Sequence, residues 1–345
     1  MNWLVGTYSK RKSEGIYILD FDEDREKFKL VNSFPEISPL NPSFLAIDSG
    51  YKNVYAVGES SSSEPGLIVS YNLINNNQLE KINQEFSFGD NPCHVAVNSK
   101  NDFLVVVNYS SGDFSTYKLE NGKISFIEKI SHEGSSLNKI RQNEPHAHSI
   151  NFLDDENFYV CDLGIDEIIR YSINKNNYKI VSSKSFKTDP GSGPRHFVID
   201  KKNRRAYSIN ELDSTINFFE INSNFDLISN QIISTIPKNY DLETTTADIH
   251  FSKDKNYLYG SNRGHDSISK FIISDNGNLV FDKHFSTKGK TPRNFSISNS
   301  GKYCLVANEN SDDIFMFRID EHGDLIPTGE KISIPAPVCL LEIIE

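Results

Sequence analysis

The chain alternates short apolar stretches with polar turns along its whole length. Residues 41–59, which read NPSFLAIDSGYKNVYAVGE, show the pattern: an alternating stretch, a polar turn, and a second stretch rich in Tyr, Val and Leu. Two weaker stretches follow in the next unit, at 115–119 and 123–126, with the turn residues ENG between them. Alternation with a period of two between turn signals predicts antiparallel β-strands joined as hairpins.

This unit recurs at a spacing of about 50 residues, which is typical of propellers and solenoids. The segments NPCHVAVNSKNDFLVVVNY from Asn91 and GPRHFVIDKKNRRAYSINE from Gly193 repeat it clearly. Four strands per unit and seven units predict an all-β fold, a seven-bladed β-propeller of four-stranded antiparallel blades, in one domain over residues 1–345. The units are anchored at Pro42, Pro92, Pro145, Pro194, Ala247, Pro292 and Pro337.

The last unit contains only one strand, in the segment APVCLLEIIE. We expect residues 339–344 to form the first strand of a blade whose other three strands are residues 3–8, 15–19 and 28–31. A blade built from both ends of the chain closes the ring and leaves no free sheet edge.

Charge and composition restrict the class of function. The formal net charge of -11 disfavours nucleic acid and anionic membrane surfaces as partners, so an anionic ligand needs a local cluster of cations. The sequence has no apolar run of 18 residues and no signal-like start, and we expect a cytoplasmic protein. Cys93, Cys161, Cys304 and Cys339 lie far apart without CxxC spacing, which predicts free thiols.

Titratable residues interrupt the apolar repeat where first strands begin and second strands end. These two strands are antiparallel neighbours, so each residue after an anchor should face one 16 positions later, as in Arg195 and Glu211. The same offset pairs Ser43 with Glu59, His146 with Asp162, and Arg293 with Glu309, while Asp248 and His250 should approach Asn262 and Arg263.

All units point the same way around the ring, so these strand ends should meet at one mouth of the central channel. A concentrated set of titratable groups at such a mouth is typical of a ligand site. The predicted mouth residues are His94, His146, His148, Arg195, His196, Glu211, His250, Arg263, Arg293 and Glu309.

Several short motifs in this order resemble the lactonase family of seven-bladed propellers, which includes a bacterial propeller-type 6-phosphogluconolactonase and a fungal carboxy-muconate cyclase. The resemblance implies hydrolysis of a sugar lactone, with 6-phosphogluconolactone in the pentose phosphate pathway as the expected substrate. The motifs are PHAHS (145–149), GSGPRH (191–196), NEL (210–212), ADIH (247–250), NR (262–263) and PR (292–293), with GTYS (6–9) and PVC (337–339) at the two ends.

The resemblance also implies a catalytic set: one histidine of the His146/His148 pair, then Arg195, Glu211 and Arg263. Glu211 or His146 could take a proton from water, and the two arginines suit an oxyanion, a carboxylate or a phosphate. This scheme requires no metal or cofactor. The predicted substrate-binding residues are His94, His196, His250, Arg293 and Glu309.

Four alternatives remain open from the sequence alone. The cyclase branch shares the same catalytic set, and a propeller can also serve as a non-catalytic binding scaffold. His146 and His148 could form half of a metal site with Asp162 or Glu211. Individual residues could simply tie blades together, as could a salt bridge between Arg293 and Glu309.

Overall fold

The computed structural model describes residues 1–60 and 65–344 and confirms the seven-bladed propeller. Within these residues, 28 strands form seven four-stranded antiparallel sheets around a central channel. In chain order, the strands are β1 (Asn2–Thr7), β2 (Tyr17–Asp22), β3 (Lys27–Ser33), β4 (Leu45–Ile47), β5 (Asn53–Gly58), β6 (Leu67–Ile74), β7 (Gln78–Phe86), β8 (Pro92–Val97), β9 (Phe103–Asn108), β10 (Asp113–Glu120), β11 (Lys123–Ser131), β12 (Ala147–Phe152), β13 (Asn157–Asp162), β14 (Glu167–Ile173), β15 (Ile180–Lys187), β16 (Pro194–Asp200), β17 (Arg205–Asn210), β18 (Thr215–Ile221), β19 (Leu227–Ser234), β20 (Thr245–Phe251), β21 (Tyr257–Arg263), β22 (Ser267–Ile273), β23 (Leu279–Ser286), β24 (Pro292–Ile297), β25 (Tyr303–Asn308), β26 (Asp313–Ile319), β27 (Leu325–Ser333) and β28 (Pro337–Ile343).

The inner strands of the seven sheets contact one another in a closed cycle, β4, β8, β12, β16, β20, β24, β28 and back to β4. The closing blade has the strand order β28-β1-β2-β3 and therefore joins both ends of the chain, as predicted. Leu4 of β1 pairs with Leu341 of β28 in the middle of this junction. A short 3₁₀ turn, Glu309–Ser311, follows β25. In the described ranges, no helix is long and apolar enough to cross a membrane.

The apolar core is divided into clusters that lie between adjacent blades. All six residues of β9, FLVVVN, are buried, because the second strand of a blade is covered on both faces. In the outer strand β11 only Ile124 is buried, and the other residues are exposed or half-buried. Where the closing blade meets its neighbour, Trp3, Leu305 and Met316 are fully buried in one cluster, and each such side chain stabilises the fold by about 1.5–3 kcal/mol. The four cysteines are free and buried, as predicted.

A β-bulge at the start of most inner strands determines which side chains reach the channel mouth. In β16, Pro194 pairs with Asn210 and His196 pairs with Ile209, so Arg195 is the extra residue. The same shift in β8, β12, β24 and β28 makes Cys93, His148, Arg293 and Val338 the extra residues. Bulges re-aim side chains and are common beside active sites. The bulged residues of five blades therefore point to the same mouth of the central channel.

Two predicted pairings are wrong. Asp162 pairs with Ala147 rather than with His146. In the blade without an anchor proline, Asn262 pairs with Thr246 and Arg263 pairs with Thr245, while His250 lies opposite Tyr259. The strand β20 begins before the expected position, and it has a bulge between Thr246 and Ile249. Asp248 and His250 consequently lie deeper in the channel than Arg263.

Candidate active site

The bulged ends of the inner strands surround a cavity of about 370 Å³, which we call the mouth cavity. Strand ends and connecting loops from several blades supply its walls, so the ring as a whole sets its shape. Its lining residues are Glu59, Cys93, Tyr109, Arg141, His148, Glu211, Arg263 and Arg293.

Glu211 follows β17, and its carboxylate is bound by three arginines. Oε2 lies 3.0 Å from Arg195 Nε and 2.9 Å from Arg263 Nη2, and Oε1 accepts a hydrogen bond from Arg141 Nη2 at 2.6 Å. Burial alone would raise the pKa of Glu211, but the charges of Arg263 and Arg195 outweigh burial and hold the pKa well below its ordinary value. An ionised carboxylate with both oxygens occupied is a poor acceptor for a proton from water.

Arg195 is almost fully buried and is held on three sides. Besides Glu211, its Nη1 donates to the carbonyl oxygen of Ala247 at 2.6 Å and lies 3.0 Å from His196 Nε2. Burial and the nearby charges of Arg293 and Arg263 lower the pKa of Arg195 to about 10. The guanidinium therefore keeps its charge at neutral pH in a fixed orientation.

The two histidines of the predicted pair occupy different environments. His148, the bulge residue of β12, lines the mouth cavity, and its Nδ1 lies 3.9 Å from Cys93 Sγ. Burial, followed by the charge of Arg195, holds the pKa of His148 well below its usual value, so its ring is neutral at pH 7. His146 precedes β12 and donates from Nδ1 to the Tyr109 carbonyl oxygen at 2.8 Å, with its ring stacked on Tyr109. Of the two, His148 is in position to act on a ligand.

Arg141 belongs to the site, although no motif or repeat position in the sequence points to it. It lies on the connection 132–146 between β11 and β12, and it also donates to the Tyr109 hydroxyl at 3.0 Å. The buried Gln142 anchors this connection by donating to the Leu163 carbonyl oxygen at 2.9 Å. The signal that could have found Arg141 is the length of the connection, because long loops in compact folds often carry function.

The groups around the mouth have an excess of positive charge. A second cavity of about 10 Å³ adjoins the mouth cavity and shares Glu59, Cys93 and Arg293 with it. Four guanidinium groups and two carboxylates line the two cavities, which gives a formal charge of +2 in a chain of net charge -11. These charged residues are Arg141, Arg195, Arg263, Arg293, Glu59 and Glu211.

The predicted residues His94, His196 and His250 line a separate cavity of about 250 Å³ farther along the channel. Asp248 organises this region, because it accepts hydrogen bonds from His196 Nδ1 at 2.7 Å and from His250 Nε2 at 2.9 Å. Burial lowers the pKa of His94, and its ring stacks on Phe44. None of these three histidines lines the mouth cavity itself, although His196 also lines the small adjoining cavity.

The last predicted pair is not an ion pair. Arg293 lines the mouth cavity, and in the described part of the chain no carboxylate lies within 4.0 Å of its guanidinium. Its guanidinium carbon lies 5.2 Å from the centre of the Tyr8 ring. Glu309 is buried outside the cavity lining and lies 3.6 Å from Lys10 Nζ.

The arrangement of His146 and Asp162 differs from that of a metal site. Asp162 accepts a hydrogen bond from the backbone N–H of His146 at 2.7 Å, and its other oxygen lies 2.6 Å from His132 Nδ1. Over residues 1–60 and 65–344, no group of three His, Cys, Asp or Glu side chains is arranged to hold a metal ion.

Comparison with known proteins agrees with this architecture. The family model described as lactonase, 7-bladed beta-propeller, matches residues 2–342. The chain belongs to this lactonase family. It is 32% identical to the 6-phosphogluconolactonase of Bacillus subtilis, with 97% of this chain and 96% of that protein covered. It is 34% identical to the 6-phosphogluconolactonase of Formosa agariphila, with 96% and 94% covered.

A solved structure of this architecture is also similar. The periplasmic gluconolactonase of Pseudomonas aeruginosa superposes with a TM-score of 0.94 at 27% identity, and the match covers 99% of both chains. The fold and the family that the motifs predicted are therefore confirmed. In this lactonase propeller, Arg195, Glu211 and Arg263 form one cluster beside His148, and their catalytic roles stay predictions.

Proposed function

We propose that this lactonase propeller hydrolyses 6-phosphogluconolactone to 6-phosphogluconate in the pentose phosphate pathway. Full-length similarity to two proteins named 6-phosphogluconolactonase supports this substrate. The observation that carries the proposal is that a neutral histidine shares one cavity with the Glu211 cluster and with an arginine that has no carboxylate partner among the described residues. Such a cavity combines a base with donors for developing negative charge.

His148 is the proposed base. A water molecule attacks the lactone carbonyl carbon while the neutral His148 ring takes one of its protons. The ring then returns that proton to the ring oxygen of the substrate as the C–O bond breaks, which yields the hydroxy acid. A positioned base contributes roughly 10²–10⁴-fold, and a δ-lactone, which already opens unaided, needs little more.

Arg263 and Arg293 are the proposed donors to the carbonyl oxygen of the substrate as it becomes an oxyanion. Both line the mouth cavity, and Arg263 Nη2 is held by Glu211 and by the Thr246 carbonyl oxygen at 2.6 Å. Glu211 thus acts as a positioning residue that orients Arg195 and Arg263. Fixed donors of this kind are worth about 10²–10³ in rate each.

The charge of the mouth is the support for a phosphorylated substrate. The formal charge of +2 over the two cavities balances the two negative charges of a phosphate group, and Arg141, whose side chain is 36% exposed, is the proposed phosphate ligand. We also propose a cytoplasmic location, because the pathway that this reaction serves is cytoplasmic. Cell fractionation with an antibody against the chain tests the location.

A panel of lactones tests the function. Proton release is followed on a fast timescale with 6-phosphoglucono-δ-lactone and glucono-δ-lactone, each corrected for its spontaneous hydrolysis, and 3-carboxymuconate is assayed for cyclisation. We expect hydrolysis of both lactones, with a higher kcat/KM for the phosphorylated one, and loss of this activity in His148→Gln. Folded protein with no rate above the spontaneous reaction would refute the proposal, and turnover of 3-carboxymuconate alone would assign the cyclase branch.

A further inference from the structure

One side of the mouth carries polar atoms that have no hydrogen-bond partner among the described residues, and we call Ser43, Glu59 and Arg293 the open wall. Ser43 lies just before β4 and is 6% exposed, and its Oγ has no hydrogen-bond partner in the described part of the chain. The buried Oε2 of Glu59, which follows β5, likewise has no partner there. Buried polar atoms are almost always hydrogen-bonded, so two such atoms together require an explanation.

On the opposite side of the mouth most polar groups are paired, although the buried Nε of Arg263 also has no partner in the described part of the chain. There Glu211 binds three arginines with both carboxylate oxygens. Arg293 of the open wall has no carboxylate within 4.0 Å in the described ranges, and the Oε1 of Glu59 receives one long bond from the Tyr8 hydroxyl at 3.4 Å. Most of the unused hydrogen-bonding capacity that the described residues show at the mouth therefore lies on the open wall.

The small cavity of about 10 Å³ lies against the open wall, because Ser43, Glu59 and Arg293 all line it. A cavity needs roughly 10–15 Å³ to hold one water molecule, so this space fits one group of that size. It shares Glu59 and Arg293 with the mouth cavity. A hydroxyl group on a ring in the mouth cavity can therefore enter it.

The chemistry of the wall selects the ligand. The free oxygen of Glu59 requires a hydrogen-bond donor, whereas Arg293 requires an acceptor and Ser43 can serve as either. A hydroxyl group both donates and accepts, and neighbouring hydroxyls satisfy the three groups together. A phosphate or carboxylate would be repelled by Glu59, and an apolar ring would leave the wall unpaired.

We infer that the open wall is a subsite for the ring hydroxyls of a polyhydroxylated lactone, and that it selects such lactones over unsubstituted ones. The inference rests on the proposed function, since it assigns the substrate class of that same cavity. A site built to hydrogen-bond a hydroxyl rejects analogues that lack it far more strongly than an apolar pocket rejects a missing methylene.

The test compares D-glucono-δ-lactone with δ-valerolactone, which has the same ring without hydroxyls. We expect Glu59→Gln to lower the ratio of their kcat/KM values by about 10- to 100-fold, because a hydrogen bond to a charged group is lost. Ser43→Ala should lower it in the same direction by a smaller factor. The change should fall on KM for glucono-δ-lactone, with δ-valerolactone kinetics unchanged. The control is Glu120→Gln, an exposed carboxylate near the end of β10 that pairs with Lys118.

Product binding provides a readout that does not depend on turnover. Calorimetry with D-gluconate and 5-hydroxypentanoate should show a preference for gluconate in the wild-type chain that Glu59→Gln removes, with melting temperatures confirming that each variant folds. If no lactone is hydrolysed but the preference exists, the proposed function fails and the subsite stands. If lactones are hydrolysed but both ratios are unchanged in Glu59→Gln and Ser43→Ala, or both substrates lose rate equally, the subsite is refuted.

Discussion

Replacing Glu211 by Gln tests whether this carboxylate acts by holding arginines. The substitution keeps the shape of the side chain and removes the charge that binds Arg195 and Arg263 in the buried part of the site. Arg141 should contribute little to the cost, since its side chain is 36% exposed and retains the Tyr109 hydroxyl as a partner. Unpairing a buried charge cluster costs about 3–5 kcal/mol.

This cost can be converted into a melting temperature. Unfolding entropy is about 2.1 cal/mol/K per residue, so a chain of 345 residues should lose about 4–7 °C for 3–5 kcal/mol. Activity should fall by about 10²–10³ in kcat/KM, as expected when a fixed oxyanion donor loses its orientation.

Two assays check this prediction, lactone hydrolysis by proton release and thermal unfolding by circular dichroism. Glu120→Gln is again the matched control and should change neither quantity. An unchanged melting temperature in Glu211→Gln would show that the three arginines do not depend on the carboxylate. A lower melting temperature with unchanged kcat/KM would show that the cluster is structural only.

Three further predictions concern the histidines and their carboxylate partner. His148→Gln should lower kcat by about 10²–10⁴-fold, whereas His146→Gln should chiefly lower the melting temperature. Burial and the charge of Arg195 lower the pKa of His196 to about 4, whereas the pKa of an unperturbed histidine is about 6.5. The unfolded chain therefore takes up the proton first as the pH falls below about 6.5, and at pH 5 this residue should lower the free energy of unfolding by about 2 kcal/mol. Urea titrations should show a smaller loss in His196→Gln. Asp248→Asn should lower kcat/KM about tenfold, because it weakens the hydrogen bond from His196 Nδ1 that leaves His196 Nε2 free to accept from Arg195. The pH–rate profile of this variant should also shift, whereas that of a purely structural variant should not.

The fold could be predicted from the sequence because the repeat is visible in it. The alternation within each unit, the turn residues and the incomplete last unit were enough to predict seven blades and the shared closing blade, and β28 pairs with β1 as expected. The predicted strands were somewhat short at several ends: residues 28–31 lie within Lys27–Ser33, and residues 115–119 lie within Asp113–Glu120. Ladder hydrogen bonds continue into polar residues that the apolar pattern does not mark.

The site could be predicted only in part, since contacts between blades are not encoded in a pattern within one blade. The offset of 16 residues correctly brought Arg195 to Glu211, because both belong to one hairpin. It could not bring Arg141 to Glu211, since that contact joins a loop to the end of a strand in another blade. The offset also could not show that Arg293 lacks a carboxylate partner within the described residues, because the rotamer of the side chain determines which groups its guanidinium reaches.

The choice between His146 and His148 shows the physical limit most clearly. Two residues apart on a regular strand, they would share a face and be equivalent, because side chains alternate with a period of two. The bulge between Ala147 and Ser149 breaks that period at His148, and so gives it the position that Arg195 has in the next blade. The anchor prolines of the two blades therefore differ in register by two residues. Pro194 itself pairs with Asn210, whereas in the other blade it is Ala147, two residues after Pro145, that pairs with Asp162. A register shift of this size depends on how the strand pairs, and it places the neutral histidine, rather than its neighbour, beside the arginines.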